Sequence, residues 1–441
     1  SLVLVCLATV CAVYCFAAGA DTPDEAVPLE QDFHVTVPAE KGPLPHPLPE
    51  GASPGFPVRG TKGWLWTPDQ YLAEIPVLLE YKLNFLMICY GSMMDIEHHP
   101  WGSPQCNRWW EPLPDAKRAG FEKVLKACQD HGIELCLSVN PVLFAERPFD
   151  YRSDEDFELL WQHYDWLQQK GMRWFCLSLD DIQQGIDAAG QAIAANRLLA
   201  KLREADPGAQ LLFCPTYYWG DGSEPEAAAY LETLAADLDD DVYVFWTGDA
   251  VVTPRITRRA AEAYKARVGH ELFIWDNYPV NDGHRTLHLG PLTGRDADLN
   301  EVCAGYMANP MRSENELNRI PLLTIADYAY NPTQYDPGRS LGQAILHMSK
   351  NKQQRDVLKD LVELFPGMLI FNKGTSFNPV LTRFDELRAL PHSRQVTALY
   401  VEHVESVARR LDAAFPKMFA PGKQTLAETI NEMRRRMNVT N

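Results

Sequence analysis

From residue 58 to residue 310 short apolar runs alternate with longer segments of helical period, and this alternation restricts the fold more than any other feature. The runs are "VRGTKGWLW" (58–66), "LNFLMICY" (83–90), "IELCLSVNP" (133–141), "MRWFCLSLDD" (172–181), "QLLFCPTYY" (210–218), "VYVFWTG" (242–248), "ELFIWDNYP" (271–279) and "CAGYMANP" (303–310). They are rich in β-branched and aromatic residues and have the length of strands. Segments such as "DAKRAGFEKVLKACQDHG" and "DEDFELLWQHYDWLQQKG" carry apolar residues at i, i+3 and i+4 and end in glycine, as capped helices do. Strand then helix, repeated eight times, predicts an α/β fold of the (β/α)8 TIM-barrel class over 56–338. An open doubly wound sheet is the alternative, but it usually has fewer strands, and no Gly-rich phosphate loop follows the first run.

After about residue 338 the strands stop. "SLGQAILHMSKNKQQRDVLKDLVELF" and "SRQVTALYVEHVESVARRLDAAF" are amphipathic, so 339–441 reads as a small all-α helical domain. The basic "MRRRM" near the end reads as a solvated helix face. Residues 21–55 contain "VPAEKGPLPHPLPEGASPG" and read as a Pro-rich linker or extended arm. Residues 1–20 are apolar and end in Ala17, Ala18, Gly19 and Ala20, the pattern of a secretory signal peptide with a truncated start. A membrane anchor is the other reading, though the stretch is short for a span. The expectation is a secreted or periplasmic protein with no transmembrane segment after cleavage. Asn438 opens a glycosylation sequon with Val439 and Thr440. The net charge of −18 argues against a nucleic-acid partner. Cys89, Cys136, Cys176, Cys214 and Cys303 stand singly in apolar runs without CxxC spacing, and read as core residues.

Barrel enzymes carry their chemistry at the C-terminal ends of the strands. Those ends supply Asp180 and Asp181, Thr216 to Tyr218, Trp246 to Gly248, Trp275 to Tyr278 with Asn281 and Asp282, and Asn309. Aromatics, carboxylates and amides together suit a sugar, which needs flat apolar faces and polar groups for its hydroxyls. Alternation on the fourth run groups Trp174, Cys176, Ser178 and Asp180 on the inward face, and Phe175, Leu177, Leu179 and Asp181 on the other. Asp181 then joins Asp180 in one site only if the strand ends or bends there. On the seventh run Phe273, Trp275 and Asn277 share the inward face. Adjacent carboxylates repel, so one holds a proton while the other stays ionised, the combination glycosidic cleavage requires. A bare Asp-Asp pair is otherwise a helix cap or a solvated loop; the barrel setting is what favours the site.

In order along the chain, "CPTYYWG", "VFWTGDAVVTPRIT", "FIWDNYPVNDG", "LHLGPLTGRDADL", "YMANPM" and "IPLLTIADYAYNPTQYDP" resemble the catalytic barrel of glycoside hydrolase family 84. The resemblance covers roughly 56 to 340. It implies a retaining β-N-acetylglucosaminidase in which the substrate's 2-acetamido oxygen attacks C1 and no enzyme nucleophile is used. By the same resemblance Asp180 polarises the acetamido N–H and Asp181 is the acid and later the base. Tyr218, Asn277 and Trp275 line the acetamido pocket, Asp282 grips O4 and O6, and Asn309 holds O6. Trp246 and Gly63 complete the expected sugar-binding set. Two stretches depart from the family. "KGWLWT" is shorter than the "GFYG-x-PW" signature, and in "MICYGSMMD" Gly91 falls where the family carries a lysine for the distal hydroxyls. The resemblance implies a carbohydrate substrate, no cofactor and no metal.

Two other classes remain open. A non-catalytic glycan-binding barrel fits the altered first motifs, although a lectin has no need of a buried acid. A metal-dependent hydrolase using His98 and His99 lacks an H-x-H pattern at a strand end; these histidines belong to the loop after the second run, which is expected to line an aglycone subsite.

Overall fold

The computed structural model describes residues 35–438, apart from 39, 40, 43, 184, 313, 368–377 and 392. The signal-peptide reading of 1–20, most of the linker before 35 and the end of the Asn438 sequon lie outside the described residues.

All eight apolar runs become strands. In chain order the elements are β1 (Val58–Gly63), α1 (Pro68–Glu80), β2 (Phe85–Ile88), α2 (Tyr90–Met93), α3 (Asp115–His131), β3 (Glu134–Val139), α4 (Asp154–Gln168), β4 (Trp174–Ser178), α5 (Ala188–Ala205), β5 (Gln210–Cys214), α6 (Pro225–Asp237), β6 (Tyr243–Trp246), α7 (Arg258–Val268), β7 (Leu272–Pro279), β8 (Cys303–Asn309), α8 (Arg319–Tyr330), α9 (Pro337–His347), α10 (Lys352–Leu364), α11 (Pro379–Arg388), α12 (Ser393–Ala414) and α13 (Ala420–Asn438). The strands close into an eight-stranded barrel with β1 paired to β8, parallel throughout. This is the (β/α)8 class.

Local chemistry explains the boundaries. Thr67 and Gln70 form a reciprocal capping box at the start of α1, with Pro68 just inside it. Helices α3 and α7 stop at Gly132 and Gly269, whose φ of 67° and 74° a side chain would resist. The alternation read from sequence also holds. Phe85, Cys136, Cys176, Leu212, Phe245, Phe273 and Met307 fill the barrel interior, while Phe175 packs edge-on against Tyr164 of α4.

Part of the supposed linker is an ordered arm on the barrel. Leu44 and His46 are buried, His46 Nδ1 lies 2.6 Å from Asp327 of α8, and the Gly55 and Phe56 amides donate to the carbonyls of Tyr330 and Ala329. After the barrel, α9 packs on α8, and α10 to α13 pack on one another. α10 buries Val357, Leu358, Leu361 and Val362 along one face. Arg435 and Arg436 of the basic tail pair with Glu432, and Arg436 also pairs with Asp385 of α11. None of the described helices is long and apolar enough to cross a membrane.

Asp276 shows how a strand-end residue can serve the fold instead of the mouth. Its neighbours Trp275 and Asn277 take the inward face. Its own carboxylate, 1% exposed, accepts from Arg295 Nε at 2.7 Å and Nη2 at 2.6 Å and from the Tyr306 hydroxyl. Asp276→Asn strands a buried guanidinium, so a loss of about 3–5 kcal/mol in unfolding free energy is expected by urea titration. A loss under about 1 kcal/mol, the scale of an exposed pair, would contradict this account.

Candidate active site

The site begins where β4 stops. Ser178 is the last strand residue, and the Leu179 amide still donates to the Cys214 carbonyl at 2.8 Å. The chain then turns, and Asp181 takes φ +61°, a left-handed conformation that Asp tolerates better than most residues. This is the bend that strand parity demanded. Asp180 keeps the inward position set by Cys176 and Ser178, and the turn brings Asp181 round instead of leaving it under the helices with Leu177 and Leu179.

Each carboxylate is held by a phenol. Tyr90, first residue of α2, donates to Asp180 Oδ2 at 2.7 Å. Tyr218, beyond β5, donates to Asp181 Oδ1 at 2.8 Å. Asn140 Nδ2 approaches the Asp180 carbonyl and Oδ1 at 3.3 and 3.4 Å, while its Oδ1 accepts from the Val142 and Leu143 amides. Burial raises both carboxyl pKa values. Repulsion from Asp181 adds to the rise at Asp180, against the Tyr90 hydrogen bond and the Lys62 charge, and takes Asp180 to about 7. At Asp181 the Tyr218 hydrogen bond and Lys62 oppose the effect of burial. Burial, followed by the carboxylate charges, holds both phenols well above their ordinary range, so they remain donors. The arrangement thus offers two carboxyls in one place that do not both ionise easily.

The opposite wall comes from β7 and β8. Trp275 Nε1 and Asn309 Nδ2 both donate to Asn277 Oδ1, at 3.1 and 2.7 Å, and Asn277 Nδ2 donates to the Val251 carbonyl at 2.5 Å. Because an indole can only donate, this network fixes the orientation of both amides. Asp282 stands exposed at the rim with φ +46°. Partial enclosure by the surrounding wall, and then the Asp181 charge, push its pKa upward, while Lys62, Arg312 and a hydrogen bond from Trp64 oppose the rise. The rim is aromatic: Trp64 packs edge-on against Trp101 at 5.1 Å, and Trp101 against Phe144 at 5.2 Å. Trp101 belongs to the loop after β2. His98, in the same loop, is exposed and paired with Asp95, and among the described residues no group of three His, Cys, Asp or Glu side chains is set to hold a metal ion.

Asp180, Asp181, Tyr218, Trp275, Asn277, Asp282 and Asn309 therefore gather at one end of the barrel. Trp246 and Gly63 do not contribute side-chain surface there. Phe245 occupies the inward place on β6. Trp246 turns outward, stacks on Tyr264 of α7 at 5.9 Å and donates to the Gly220 carbonyl at 2.9 Å. At Gly63 an added Cβ would lie 2.3 Å from the Tyr71 ring, so this glycine makes room for α1. Gly91 is likewise occupied space, since a Cβ there would meet Leu65 at 2.5 Å and Trp101 at 3.1 Å. A cation nevertheless reaches the mouth: Lys62, on the inward face of β1, has its Nζ 3.8 Å from the centre of the Trp275 ring. Sequence reading missed Lys62, Tyr90 and Asn140; parity from the strand ends was the signal that could have found Lys62. A separate cavity of about 370 Å³, lined by Val58, Trp174, Tyr243 and Phe273, lies at the opposite end of the strands and contains none of these site residues.

A family model described as beta-N-acetylglucosaminidase matches residues 58–363. Among solved structures, the chain is similar to a point mutant of the Thermobaculum terrenum O-GlcNAc hydrolase, with a TM-score of 0.67 and 20% identity over 87% of this chain and 83% of that one. It is also similar to CpGH84B, with a TM-score of 0.65 and 21% identity over 88% of this chain and 68% of that one.

Proposed function

The chain belongs to the β-N-acetylglucosaminidase family of glycoside hydrolases, family 84, and on that premise we propose that it removes terminal β-linked GlcNAc-type sugars with retention, using the substrate's own acetamido group as nucleophile. The observation that carries this reading is the paired carboxyl end of β4, turned into one mouth by the left-handed residue Asp181. A retaining enzyme with its own nucleophile places its two carboxyls on opposite sides of the sugar, about 5–5.5 Å apart. Adjacent residues at one strand end approach from the same side, which suits an acid beside a group that orients the substrate.

The steps follow from the protonation balance. The amide N–H of the bound sugar donates to Asp180 and stabilises its ionised form, so the proton shared by the pair moves to Asp181. Asp180 draws density toward the acetamido oxygen, which attacks C1. Asp181 gives its proton to the departing glycosidic oxygen. A cyclic oxazolinium remains, its N–H still held by ionised Asp180, and ionised Asp181 then takes a proton from the water that opens it at C1 and restores the acetamido group. Two inversions give net retention. Tyr218, holding Asp181, keeps the acid aimed throughout.

The test is hydrolysis of 4-methylumbelliferyl β-GlcNAc beside the matching β-glucoside, with the first-formed anomer read by NMR. Turnover of the acetamido substrate alone, with the β anomer appearing first, is the expected result. Equal turnover of the glucoside, or an α anomer first, would remove the substrate-assisted reading. Binding of GlcNAc without any turnover would instead make this a glycan-binding barrel.

A further inference from the structure

Lys62 is 2% exposed, and its ammonium lies among the groups that define the mouth. Its Nζ is 3.7 Å from Cys89 Sγ of the β2 end and 3.8 Å from the Trp275 ring centre, with the Trp64 and Tyr90 rings at 5.8 and 5.9 Å. Its charge is felt by Asp180, Asp181 and Asp282 alike. Yet among the described residues no carboxylate lies within the 4.0 Å of an ion pair with it. A buried ammonium is costly to the fold unless its three N–H groups are satisfied. A thiol is a weak acceptor and one aromatic face a partial one. Among the described residues the one hydrogen bond of Nζ goes to that thiol, which leaves donor capacity for a ligand in the mouth.

We propose that Lys62 is a specificity-determining residue of the sugar site, donating from β1 to a ring hydroxyl of the sugar bound among Asp180, Asp181 and Asp282. This rests on the glycosidase reading above. A cation held on the Trp275 ring keeps a fixed position as the sugar arrives, because cation–π attraction and the shape of the surrounding wall hold it there. The same charge biases the acid pair. The titratable groups that feel the Lys62 charge are Cys89 from the β2 end, Asp180 and Asp181 just beyond β4, Cys214 at the end of β5 and Asp282 after β7, with the Tyr90 ring 5.9 Å away. Of these the ionised carboxyls dominate its field. Removing Lys62 takes away a positive neighbour that favours their charged forms, so the pair holds its protons to higher pH.

The experiment uses Lys62→Met, which keeps the volume and removes the charge, and Lys62→Arg, which keeps the charge. Each is assayed with 4-methylumbelliferyl β-GlcNAc and its 3-, 4- and 6-deoxy analogues across pH, and by calorimetric binding of a GlcNAc-derived thiazoline. Lys62→Met is expected to lose about 10–100-fold in kcat/KM, the scale of a hydrogen bond to a charged group. That loss should largely vanish with the one analogue lacking the contacted hydroxyl, and the pH profile should move to higher pH. Lys62→Arg should leave the pH profile in place. An unchanged kcat/KM and profile in a folded Lys62→Met protein overturns the proposal. So does a loss equal for all analogues with no pH movement, which marks a purely structural residue. If the wild type turns over none of the substrates, the glycosidase reading has failed; weaker thiazoline binding by Lys62→Met then still supports the contact, and equal binding overturns it.

Discussion

Asp181→Asn is expected to reduce kcat/KM by about 10²–10⁴-fold, the contribution of a positioned general acid and base, and by an amount that depends on the leaving group. An aryl oxygen departs with little help, so 4-nitrophenyl GlcNAc should lie near the lower end. A sugar or alkyl oxygen needs the proton before the C1–O bond breaks, so a GlcNAc disaccharide should lie near the upper end. The fold should survive. The substituted amide retains an oxygen to accept from Tyr218, and Tyr218 remains a donor because burial and the nearby carboxylates hold its hydroxyl well above its ordinary range. The second half of the cycle gives an independent check. Asparagine cannot deprotonate water, but azide needs no base. Added azide should therefore speed release from the oxazolinium and yield a β-glycosyl azide. The alkaline limb of the wild-type profile, which reports loss of the acid proton, should be missing from the variant. A uniform loss across leaving groups, with no response to azide, would assign Asp181 a binding role instead.

Much of this architecture was legible because period-2 patterning survives burial. The eight apolar runs became eight strands, and counting alternate residues was enough to put Asp180, Trp275 and Asn277 on the inward face. The bend at Asp181 could be required from sequence but not seen: it depends on a backbone dihedral, and only the residue type hinted that one was available. Trp246 failed for the opposite reason. β6 has four residues, too few to fix a face, and Phe245 took the interior. Lys62 was hidden by expectation, since a lysine near a strand end normally marks exposure. Its burial depends on three-dimensional neighbours, Trp275 above all, that lie far away in sequence. Gly91 and Gly63 were legible only as small residues. What each leaves room for, Leu65 with Trp101 in one case and Tyr71 in the other, appears only once helices and loops close on the barrel.

Asp180→Asn should be nearly as damaging to activity and should differ from Asp181→Asn in every other respect. Losing one preorganised polar partner of the reacting group lowers kcat by about 10²–10³-fold. Here the lost partner orients the nucleophile, so the reduction should be the same for aryl and sugar leaving groups, and azide should not restore it. The effect on stability has the opposite sign. The Asp180 carboxyl is raised from 3.8 to about 7, by burial first and by the Asp181 charge second. A folded-state pKa above the unfolded value means that the folded chain holds the proton more tightly. Its stabilising effect is therefore complete below pH 4 and is lost as the pH rises through 7. Asparagine has no proton to lose. The variant's Tm should rise relative to wild type from pH 5 to pH 8, with the larger gain at pH 8, while the enzyme is nearly inactive at both. That pairing of lost turnover and gained stability is what a carboxylate kept for chemistry predicts. If the variant melts lower by a constant amount at both pH values, Asp180 serves mainly to anchor Tyr90 and Asn140, and the task of orienting the acetamido group must pass to another residue of the mouth.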